Sequence, residues 1–281
     1  MENKEELLKR IDCLDKGFVR LVDFMGTDDS IVQAARVSYG KGTKSVRADR
    51  ELIRYLMRHR HTSPFEMVEF KFHVKLPIFV ARQWIRHRTA NVNEYSGRYS
   101  EMKDEFYIPD IEQIRTQDTV NRQGRGDSVL PQYQAEEINE MLSKTQQKLF
   151  EEYKSMLDMD IARELARINL PLSTYTEWYW KIDLHNLLHF LKLRLDFHAQ
   201  YEIRVYAAAM GELIKPIVPS TYEAFEDYMI NSETFSSKEI NIIKTLINKK
   251  MPDDEFLAQN EIKGLEATEF KVKMKKLIPE G

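Results

Sequence analysis

Arginine side chains are concentrated in one short segment of this sequence. The segment RQWIRHRTANVNEYSGRYS, residues 82–100, contains the triplet Arg86-His87-Arg88, further arginines and a single carboxylate, Glu94. The whole chain, by contrast, has a formal net charge of −3. A local excess of cations beside apolar sequence needs an anionic partner, because unpaired charge is costly to desolvate. A structural carboxylate, a nucleic-acid backbone and a phosphorylated small molecule are the candidates.

The residues after the triplet favour a small phosphorylated ligand. Asn91, Asn93, Ser96 and Gly97 provide short polar side chains and a flexible backbone position. Arginines in such loops form forked hydrogen bonds to phosphate. A pI of about 6.2 argues against general nucleic-acid binding. The structural alternative is that cations at a helix end complement its dipole, which contributes roughly 0.3–1 kcal/mol each.

Two arginines elsewhere in the chain raise the same question. Arg194 interrupts the apolar stretch LLHFLKLRL, and Arg167 lies in ELARINLPL. An arginine that points inward from a buried helix needs an anion or a group rich in acceptors. One shared anionic ligand would satisfy both arginines and the segment 82–100. Ion pairs with Glu164 or Asp196 are the alternative.

Three histidines in the segment 183–202 indicate a different kind of chemistry. His185 and His189 are four residues apart and share a helix face, which suits a metal ion, and His198 follows. The zinc-protease pattern, however, requires glutamate directly after the first histidine, where this chain has Asn186. A metal-dependent nucleotide hydrolase that uses these histidines is therefore an alternative function.

Nucleophiles for covalent catalysis are scarce. Cys13 is the only cysteine and has no basic residue beside it, so nothing in the sequence lowers the pKa of its thiol. Ser96 lacks the glycine-flanked turn of serine hydrolases. The sequence contains neither a dinucleotide-binding glycine motif nor a phosphate-binding loop of the Walker type.

The segment HTSPFE, residues 61–66, permits two interpretations. Serine before proline favours an extended residue and hence a plain turn from a helix into a strand. The functional interpretation is that Ser63 and Glu66 bind a ligand. The residues alone favour the plain turn.

Hydrophobic periodicity predicts the elements that position these residues. Strict alternation over 66–77 predicts an antiparallel strand with every second residue from Val68 to Val74 on its apolar face. Pro77 then begins a helix, and the arginine triplet lies at the end of that helix and in the loop beyond. Further predictions are strands at 10–25 and 173–183, a polar loop at 116–131, and helices at 29–38, 47–60, 133–158 and 161–170. One or two buried helices are predicted over 184–215.

The mixture of helices and antiparallel strands predicts an α+β fold, an antiparallel or mixed sheet flanked by long helices. A further helix begins at Ser236, with Glu239 completing a capping box. The charged segment 251–281 has no clear period.

Composition indicates a soluble protein of the cytoplasm. A single cysteine rules out an intramolecular disulfide. The N-terminal sequence MENKEELLKRIDCLDKG lacks the apolar core of a signal peptide, and no apolar run approaches the ~20 residues of a membrane span. Neither a membrane nor a nucleic acid is an expected partner. An RNA-binding module that uses the arginine segment is the non-enzymatic alternative, and its affinity should fall steeply with salt.

These motifs together resemble those of the flavin-dependent thymidylate synthases. The family signature is an RHR triplet followed, after seven residues, by a serine, which here is the segment from Arg86 to Ser96. The flanking segments AARVS, SPFE, PIFVARQW, ARINLPL and LRLDFHAQYE also match, in the family's order. The resemblance implies the family's α+β fold and a catalytic domain over residues 1–230. Residues 231–281 form a helical, charged extension of unknown role.

The resemblance implies the reductive methylation of dUMP to dTMP by a methyltransferase. The methylene group comes from 5,10-methylenetetrahydrofolate and the electrons come from NADPH through FAD. A homotetramer with active sites shared between subunits is implied as well. The clustered arginines would then hold the phosphates of dUMP and of the flavin nucleotide.

Residue roles carry over from the family position by position. The positions that match the dUMP site are Gln83, Trp84, Ile85, Arg86, Glu94, Tyr95, Ser96, Gly97, Arg98, Arg167 and Arg194. The positions that match the FAD site are Ser38, Ser63, Glu66, Arg86, His87, Arg88, Asn93, Glu94, Asp183, His185, His189 and His198. His61 matches a histidine near the flavin ring, where folate and nicotinamide stack, and no metal site is implied.

Arg194 is the catalytic residue that the resemblance implies. A fixed cation beside N3 and O2 of the uracil stabilises negative charge on the pyrimidine ring. This makes C5 more nucleophilic without attack by a cysteine, which agrees with the lack of a reactive thiol. The charge state of His87 is expected to matter near physiological pH, where an unperturbed histidine titrates.

The sequence departs from the family pattern at several flavin-site positions. Asn91 stands where many members have serine, and it keeps the capacity to hydrogen bond. Asp183, His185 and His189 stand where some members have Asn, Arg and Asn, so the contacts to the flavin differ there. The loop NRQGRGDS, residues 121–128, resembles a loop of longer members and is expected to border the active site.

Overall fold

The order of strands and helices agrees broadly with the prediction, although several elements are shorter. The computed structural model describes residues 7–37, 46–119, 124–246 and 251–278. The strands are β1 (Arg10–Cys13), β2 (Gly17–Met25), β3 (Glu69–Pro77), β4 (Asn91–Glu94), β5 (Arg115–Gln117), β6 (Arg125–Val129) and β7 (Tyr175–Asp183). The α-helices are α1 (Asp28–Arg36), α2 (Val46–Arg58), α3 (Ile78–Trp84), α4 (Gln132–Asp158), α5 (Arg163–Ala166), α6 (Leu184–Leu195), α7 (Tyr201–Ile214), α8 (Pro219–Phe225), α9 (Ser237–Leu246), α10 (Asp254–Gln259) and α11 (Gly264–Leu277).

The chain divides into two units, Met1–Phe225 and Glu226–Gly281. The first unit contains all of the strands named above and the helices α1 to α8, and the second contains α9 to α11. None of the helices in the described ranges is long and apolar enough to cross a membrane.

A five-stranded sheet forms the centre of the first unit, and all of its neighbouring strands are antiparallel. The strand order is β1-β2-β3-β7-β4. On the central strand β3, Phe70, Phe72 and Val74 have no exposed surface, because a period of two directs alternate side chains to the same face. The long antiparallel pairing of β3 with β7 extends from Glu69 opposite Asp183 to Pro77 opposite Tyr175. The predicted α+β class is confirmed.

Helix α3 is anchored in an aromatic core. Trp84, the last residue of α3, is fully buried. Its ring centroid lies 4.8 Å from that of Phe190 in α6 and 5.3 Å from that of Trp180 in β7. Aromatic pairs at these separations contribute stabilisation beyond the burial of area. The end of α3 is therefore fixed against both the sheet and α6.

The arginine triplet lies beyond α3 rather than at its C-terminus. The helix ends at Trp84, and Arg82 is the basic residue of its last turn. The chain turns after the helix, where the backbone N–H of His87 donates to the carbonyl of Trp84 across 2.9 Å. Interaction with the helix dipole falls off within the last turn, so it does not account for Arg86 and Arg88.

Two predictions of local structure are wrong in detail. Residues 10–25 form a hairpin of β1 and β2 rather than one strand, and Leu14 in its turn has φ +58°. The segment 116–131 contains most of a second hairpin, in which β5 and β6 pair antiparallel, instead of a plain loop. Residues 120–123 of that segment lie outside the described residues. The first turn was missed because it has no glycine in the left-handed position, and the second hairpin was missed because β5 and β6 are short.

The second unit is more helical than its sequence pattern indicates. The predicted capping box at the start of α9 is confirmed, since the backbone N–H of Ser236 donates to Glu239 Oε2 across 2.7 Å and Ser236 Oγ accepts from the backbone N–H of Glu239 at 3.4 Å. Although 251–281 shows no clear period, its described part contains α10 and α11. Asp253 caps α10 by accepting the backbone N–H of Phe256 at 2.8 Å.

Candidate active site

The segment that leaves α3 presents cations without carboxylate partners. Arg82, Arg86 and Arg88 are exposed, and within the described residues none of them forms an ion pair. An exposed guanidinium with no internal partner keeps all of its N–H donors for a ligand. The arrangement therefore leaves the positive charge of this segment available to an anion.

Arg194 of α6 lies next to the triplet. Its Nε donates a hydrogen bond to Nε2 of His87 across 3.0 Å. The guanidinium is half-buried, and burial lowers its pKa, but arginine remains a cation at physiological pH. It forms no ion pair with any described residue. The sequence prediction that Arg194 needs an acceptor is met by a neutral imidazole rather than by a carboxylate.

The imidazole of His87 is neutral. Burial, with the nearby charge of Arg194 and the neighbouring His189, lowers the pKa of His87 to about 4. Its Nε2 therefore carries no proton and accepts the hydrogen bond from Arg194. His87 therefore does not titrate near physiological pH, because protonation would place a second cation against a half-buried guanidinium.

The carboxylates considered as alternative partners for the two inner arginines are engaged elsewhere. Glu164 Oε2 accepts from Nε of Arg98 at 3.0 Å. Asp196 Oδ1 lies 2.9 Å from Nδ1 of His198 and also accepts the backbone N–H of that residue. The ion pairs that formed the structural alternative are therefore absent from the described residues.

The turn Ser96–Arg98 lies directly against Arg167. A Cβ atom added to Gly97 would come within 3.2 Å of Cδ and Nη1 of Arg167, which is a close approach that glycine permits. The hydroxyl of Ser96 accepts the backbone N–H of Arg98 at 3.3 Å. All of these residues are predicted at the dUMP site. We call them the Gly97 group, which consists of Ser96, Gly97, Arg98 and Arg167.

Strand β4 positions the residues just before the Gly97 group. Glu94 Oε1 accepts a hydrogen bond from the hydroxyl of buried Thr176 across 2.8 Å. The backbone N–H of Tyr95 donates to the carbonyl of Glu177 at 2.8 Å. Asn93 is exposed on the same strand. Pairing with β7 thus fixes the path of the segment between the triplet and Ser96.

A groove of about 250 Å³ lies where β4 meets β7. The residues that line it are Glu69, Arg88, Thr89, Ala90, Asn91, Lys181, Ile182 and Asp183. Inside it, Nζ of Lys181 lies 3.1 Å from Glu69 Oε1, and Asp183 caps α6 by accepting the backbone N–H of Asn186 at 2.9 Å. Both acidic residues are therefore satisfied internally, and Arg88 is left as an uncompensated cation.

His61 and the following turn lie at the end of α2. The ring of His61 stacks on that of Tyr55, with centroids 5.9 Å apart and planes 16° apart. Ser63 and Glu66 are exposed, and the backbone N–H of Glu66 donates to the carbonyl of Ser63 at 3.2 Å. The plain interpretation as a turn from helix to strand is confirmed. A ligand-binding role for these two side chains stays a prediction.

The three histidines of the segment 183–202 do not form a metal site. The ring of His189 lies 6.1 Å from that of His87, whereas His198 is exposed and bonded to an aspartate. In the part of the chain that the structure describes, no three side chains of the His, Cys, Asp and Glu types are grouped so as to hold a metal ion. The hydrolase alternative therefore lacks its ligand set.

Several expected site positions offer little side chain to a ligand. The indole of Trp84 is fully buried, so any contact of this residue with a nucleotide would use its main chain. Ile85 next to it is exposed. Ser38 lies outside the described residues.

Cys13 is buried, which raises the pKa of its thiol to about 12 and confirms that it is not a reactive cysteine.

Two positioning contacts were not found from the sequence. Gln83 Nε2 donates to Gln200 Oε1 at 3.4 Å, and Thr176 holds Glu94. The only sequence signal was a threonine at an inward position of a strand.

No hydrogen bond or ion pair among the described residues connects the Gly97 group with Gln83 or Arg194. The predicted dUMP-site residues that are described therefore form two groups that no hydrogen bond or ion pair joins.

Comparison with protein families agrees with this fold and site. Residues 20–220 match the family described as "Thymidylate synthase complementing protein". A solved structure, the UMP/dUMP methylase PolB from Streptomyces cacaoi bound with 5-Br dUMP, superimposes with a TM-score of 0.72 at 36% identity. The match covers 79% of this chain and 100% of PolB.

Curated relatives define the class more narrowly. The flavin-dependent thymidylate synthase of Treponema denticola is 55% identical over 267 residues, which cover 95% of this chain and 97% of the relative. That of Ehrlichia ruminantium (strain Gardel) is 58% identical over 246 residues, which cover 88% of this chain and 82% of the relative. This chain belongs to the flavin-dependent thymidylate synthase family.

Proposed function

We propose that this chain catalyses the reductive methylation of dUMP to dTMP. The methylene group comes from 5,10-methylenetetrahydrofolate and the electrons from NADPH by way of bound FAD. Membership of the family supports the flavin-dependent methyltransferase chemistry. The observation that carries the proposal is the half-buried guanidinium of Arg194, oriented by neutral His87 and free of any carboxylate partner among the described residues.

In this proposal Arg194 binds the uracil edge of dUMP. Its Nε is occupied by His87, which leaves the N–H groups of the two terminal nitrogens to donate to O2 and, once N3 has lost its proton, to N3. A fixed, partly desolvated cation stabilises negative charge that develops on the ring. C5 is thereby activated toward the methylene group, and the buried, protonated thiol of Cys13 takes no part.

The Gly97 group supplies the anion-binding part of the dUMP site. Arg167 has no ion pair among the described residues, and its Nη1 lies 3.2 Å from the position of a Cβ at Gly97, so the guanidinium lies beside the turn. Guanidinium and backbone donors together match the geometry of a phosphate. Ser96 is proposed as a ligand of the nucleotide and not as a nucleophile, because no general base among the described residues contacts its hydroxyl, which accepts the backbone N–H of Arg98.

The groove of about 250 Å³ where β4 meets β7 offers contacts to part of a flavin nucleotide. Arg88 and Asn91 provide a cation and an amide at its edge, and the two acidic residues in it are already satisfied, so they do not repel a diphosphate. Bound FAD would supply the two-electron transfer. The residues proposed to hold it are Ser38, Ser63, Glu66, Arg86, His87, Arg88, Asn93, Glu94, Asp183, His185, His189 and His198. His61 would lie on the open side of the flavin, near folate and nicotinamide.

We further propose that the complete site is assembled from more than one copy of the chain, in a homotetramer. Support comes from the observation that, among the described residues of one chain, no hydrogen bond or ion pair joins the Gly97 group to Arg194. Catalysis is assigned to residues 1–230, with 231–281 as an extension. A cytoplasmic location stays a prediction.

An assay of product formation tests the proposed function. The purified protein is incubated with dUMP, 5,10-methylenetetrahydrofolate, NADPH and FAD, and dTMP is measured by mass spectrometry. Formation of dTMP is expected only when dUMP, the folate and NADPH are all present. If a folded, flavin-loaded protein forms no dTMP under conditions in which the Treponema denticola relative does, the proposal is rejected.

A further inference from the structure

An arginine of the β5–β6 hairpin contacts a buried carboxylate of the core. Arg125, the first residue of β6, contacts Glu202 of α7 in an ion pair whose carboxylate is 1% exposed. The guanidinium also lies 5.7 Å from the ring centroid of Tyr201. A buried carboxylate needs its charge compensated, and this partner comes from the hairpin rather than from the sheet or the helices.

Glu202 is a junction of several hydrogen bonds. Besides Arg125, Glu202 Oε1 accepts the hydroxyl of Tyr107 at 3.0 Å, and Glu202 Oε2 accepts Nε2 of Gln200 at 2.9 Å. Burial and the charge of Glu202 raise the pKa of Tyr107, so its hydroxyl stays a donor. The ionised carboxylate can only accept, and every neighbour must therefore turn a donor toward it.

This requirement sets the orientation of two amides in turn. Because Gln200 must present its NH2 group to Glu202, its Oε1 points away and accepts from Nε2 of Gln83 at 3.4 Å. Because Gln83 presents its NH2 group to Gln200, its own Oε1 is left over. That oxygen is buried and has no hydrogen-bond partner in the described structure. A buried acceptor without a donor destabilises the structure, and a hydrogen bond donated by a ligand would remove this free-energy cost.

We propose that Arg125 is a positioning residue for the nucleotide. Through Glu202 and Gln200, it holds the amide of Gln83 so that Oε1 of Gln83 faces an N–H or O–H donor of dUMP. The four residues Arg125, Glu202, Gln200 and Gln83 are called the amide relay. The inference rests on the proposed function for the identity of the nucleotide. The amide relay gives the β5–β6 hairpin a role in the affinity for dUMP, although the hairpin itself does not contact dUMP in this proposal.

Calorimetric titration of the flavin-loaded protein with dUMP tests the amide relay. We expect Arg125→Ala to raise the dissociation constant of dUMP about tenfold, because the buried carboxylate of Glu202 loses its counter-charge and no longer holds Gln200, and through it Gln83, in one orientation. The matched control is Arg115→Ala on the same hairpin, whose guanidinium donates to the carbonyl of Glu112. This control should bind dUMP like the wild type.

A double-mutant cycle separates positioning from a general loss of structure. If Arg125 acts through Gln83, then Arg125→Ala should change the dissociation constant by less than about twofold when Gln83→Ala is already present. The proposal would be overturned if Arg125→Ala raised the dissociation constant by the same factor with and without Gln83→Ala. It would also be overturned if Arg125→Ala alone left the dissociation constant unchanged.

A second variant avoids leaving Glu202 buried without a partner. The combined change Arg125→Ala and Glu202→Gln removes both charges, so the protein should remain folded. A glutamine at 202 no longer dictates the orientation of Gln200, so weaker dUMP binding is still expected, and wild-type affinity would overturn the proposal. If the wild type itself fails to bind dUMP, the proposed function fails instead.

Discussion

Nε of Arg194 donates a hydrogen bond to Nε2 of His87 across 3.0 Å, although 107 residues separate the two in sequence. The contact joins the last turn of α6 to the segment that follows α3. It requires the imidazole to be neutral, and the lowered pKa of His87 satisfies that requirement. The arginine is thus oriented by an acceptor that does not cancel its charge.

The stability of the protein should depend on pH through His87. Its pKa is about 4 in the folded protein, against 6.5 for an unperturbed histidine. Between these values the unfolded chain binds a proton that the folded protein does not, so the free energy of unfolding should fall as the pH is lowered through this window. Urea denaturation at a series of pH values measures this, and His87→Gln should reduce the slope. An identical slope in the variant would contradict the account.

Arg194 and Ser96 should differ sharply in their importance for catalysis. Arg194→Ala removes the cation proposed to stabilise charge on the uracil ring and should lower kcat by on the order of 10²–10³-fold. Ser96→Ala removes only a ligand contact and should retain measurable activity. Steady-state dTMP formation by both variants, with folding and flavin content checked, makes the comparison. Loss of all activity in the serine variant, with both intact, would reject its assignment as a ligand.

The close approach of Gly97 to Arg167 should be needed for nucleotide binding. In Gly97→Ala the new methyl group would come 2.8 Å from Sδ of Met102 and 3.2 Å from Arg167. We expect Arg167 to move and the affinity for dUMP to fall by about tenfold, the loss of one charge-assisted contact. Gly124→Ala is the control, since nothing lies within 4 Å of a Cβ there. Equal dissociation constants in the two variants would show that the approach is not required.

The end of α2 contains a residue in a conformation that suits glycine. Arg60 has φ +57°, and the hydrogen bond from the N–H of His61 to the carbonyl of Leu56, 2.9 Å, closes the helix end around it. Arg60→Gly should raise the free energy of unfolding by about 0.5–1 kcal/mol, because relief of steric strain outweighs the added entropy of the unfolded chain.

A second substitution at Arg60 should have the opposite effect on stability. Arg60→Val places a β-branched side chain in the left-handed region and should lower the free energy of unfolding by about 1–2 kcal/mol. Both variants can be measured by thermal denaturation of the purified protein. Variants of equal stability would mean that the backbone at Arg60 relaxes freely and does not constrain His61.

The strongly patterned elements were predictable from the sequence. Alternation identified β3 because one of its faces is wholly apolar, and the capping pair identified the start of α9. The β5–β6 hairpin was not identified, because short, exposed polar strands carry no burial pattern. The turn at Leu14 was missed since a left-handed leucine gives no signal in the sequence.

The site was predictable as a set of residues but not as an arrangement. The arginine triplet and its flanking motifs could be found locally. The contacts that orient them, such as His87 with Arg194 and Arg125 with Glu202, join residues that lie far apart in the chain and depend on how α6 and α7 pack. The neutral state of His87 follows from burial beside a cation, which only the folded structure supplies.

The visible absorption spectrum of the purified protein, followed by its bleaching with NADPH, tests the central claim most directly. A flavin spectrum that bleaches faster when dUMP is present is the predicted result, since it requires both a flavin and a nucleotide site in one protein. A colourless protein that takes up no added FAD, or a flavin whose bleaching is indifferent to dUMP, would contradict the account.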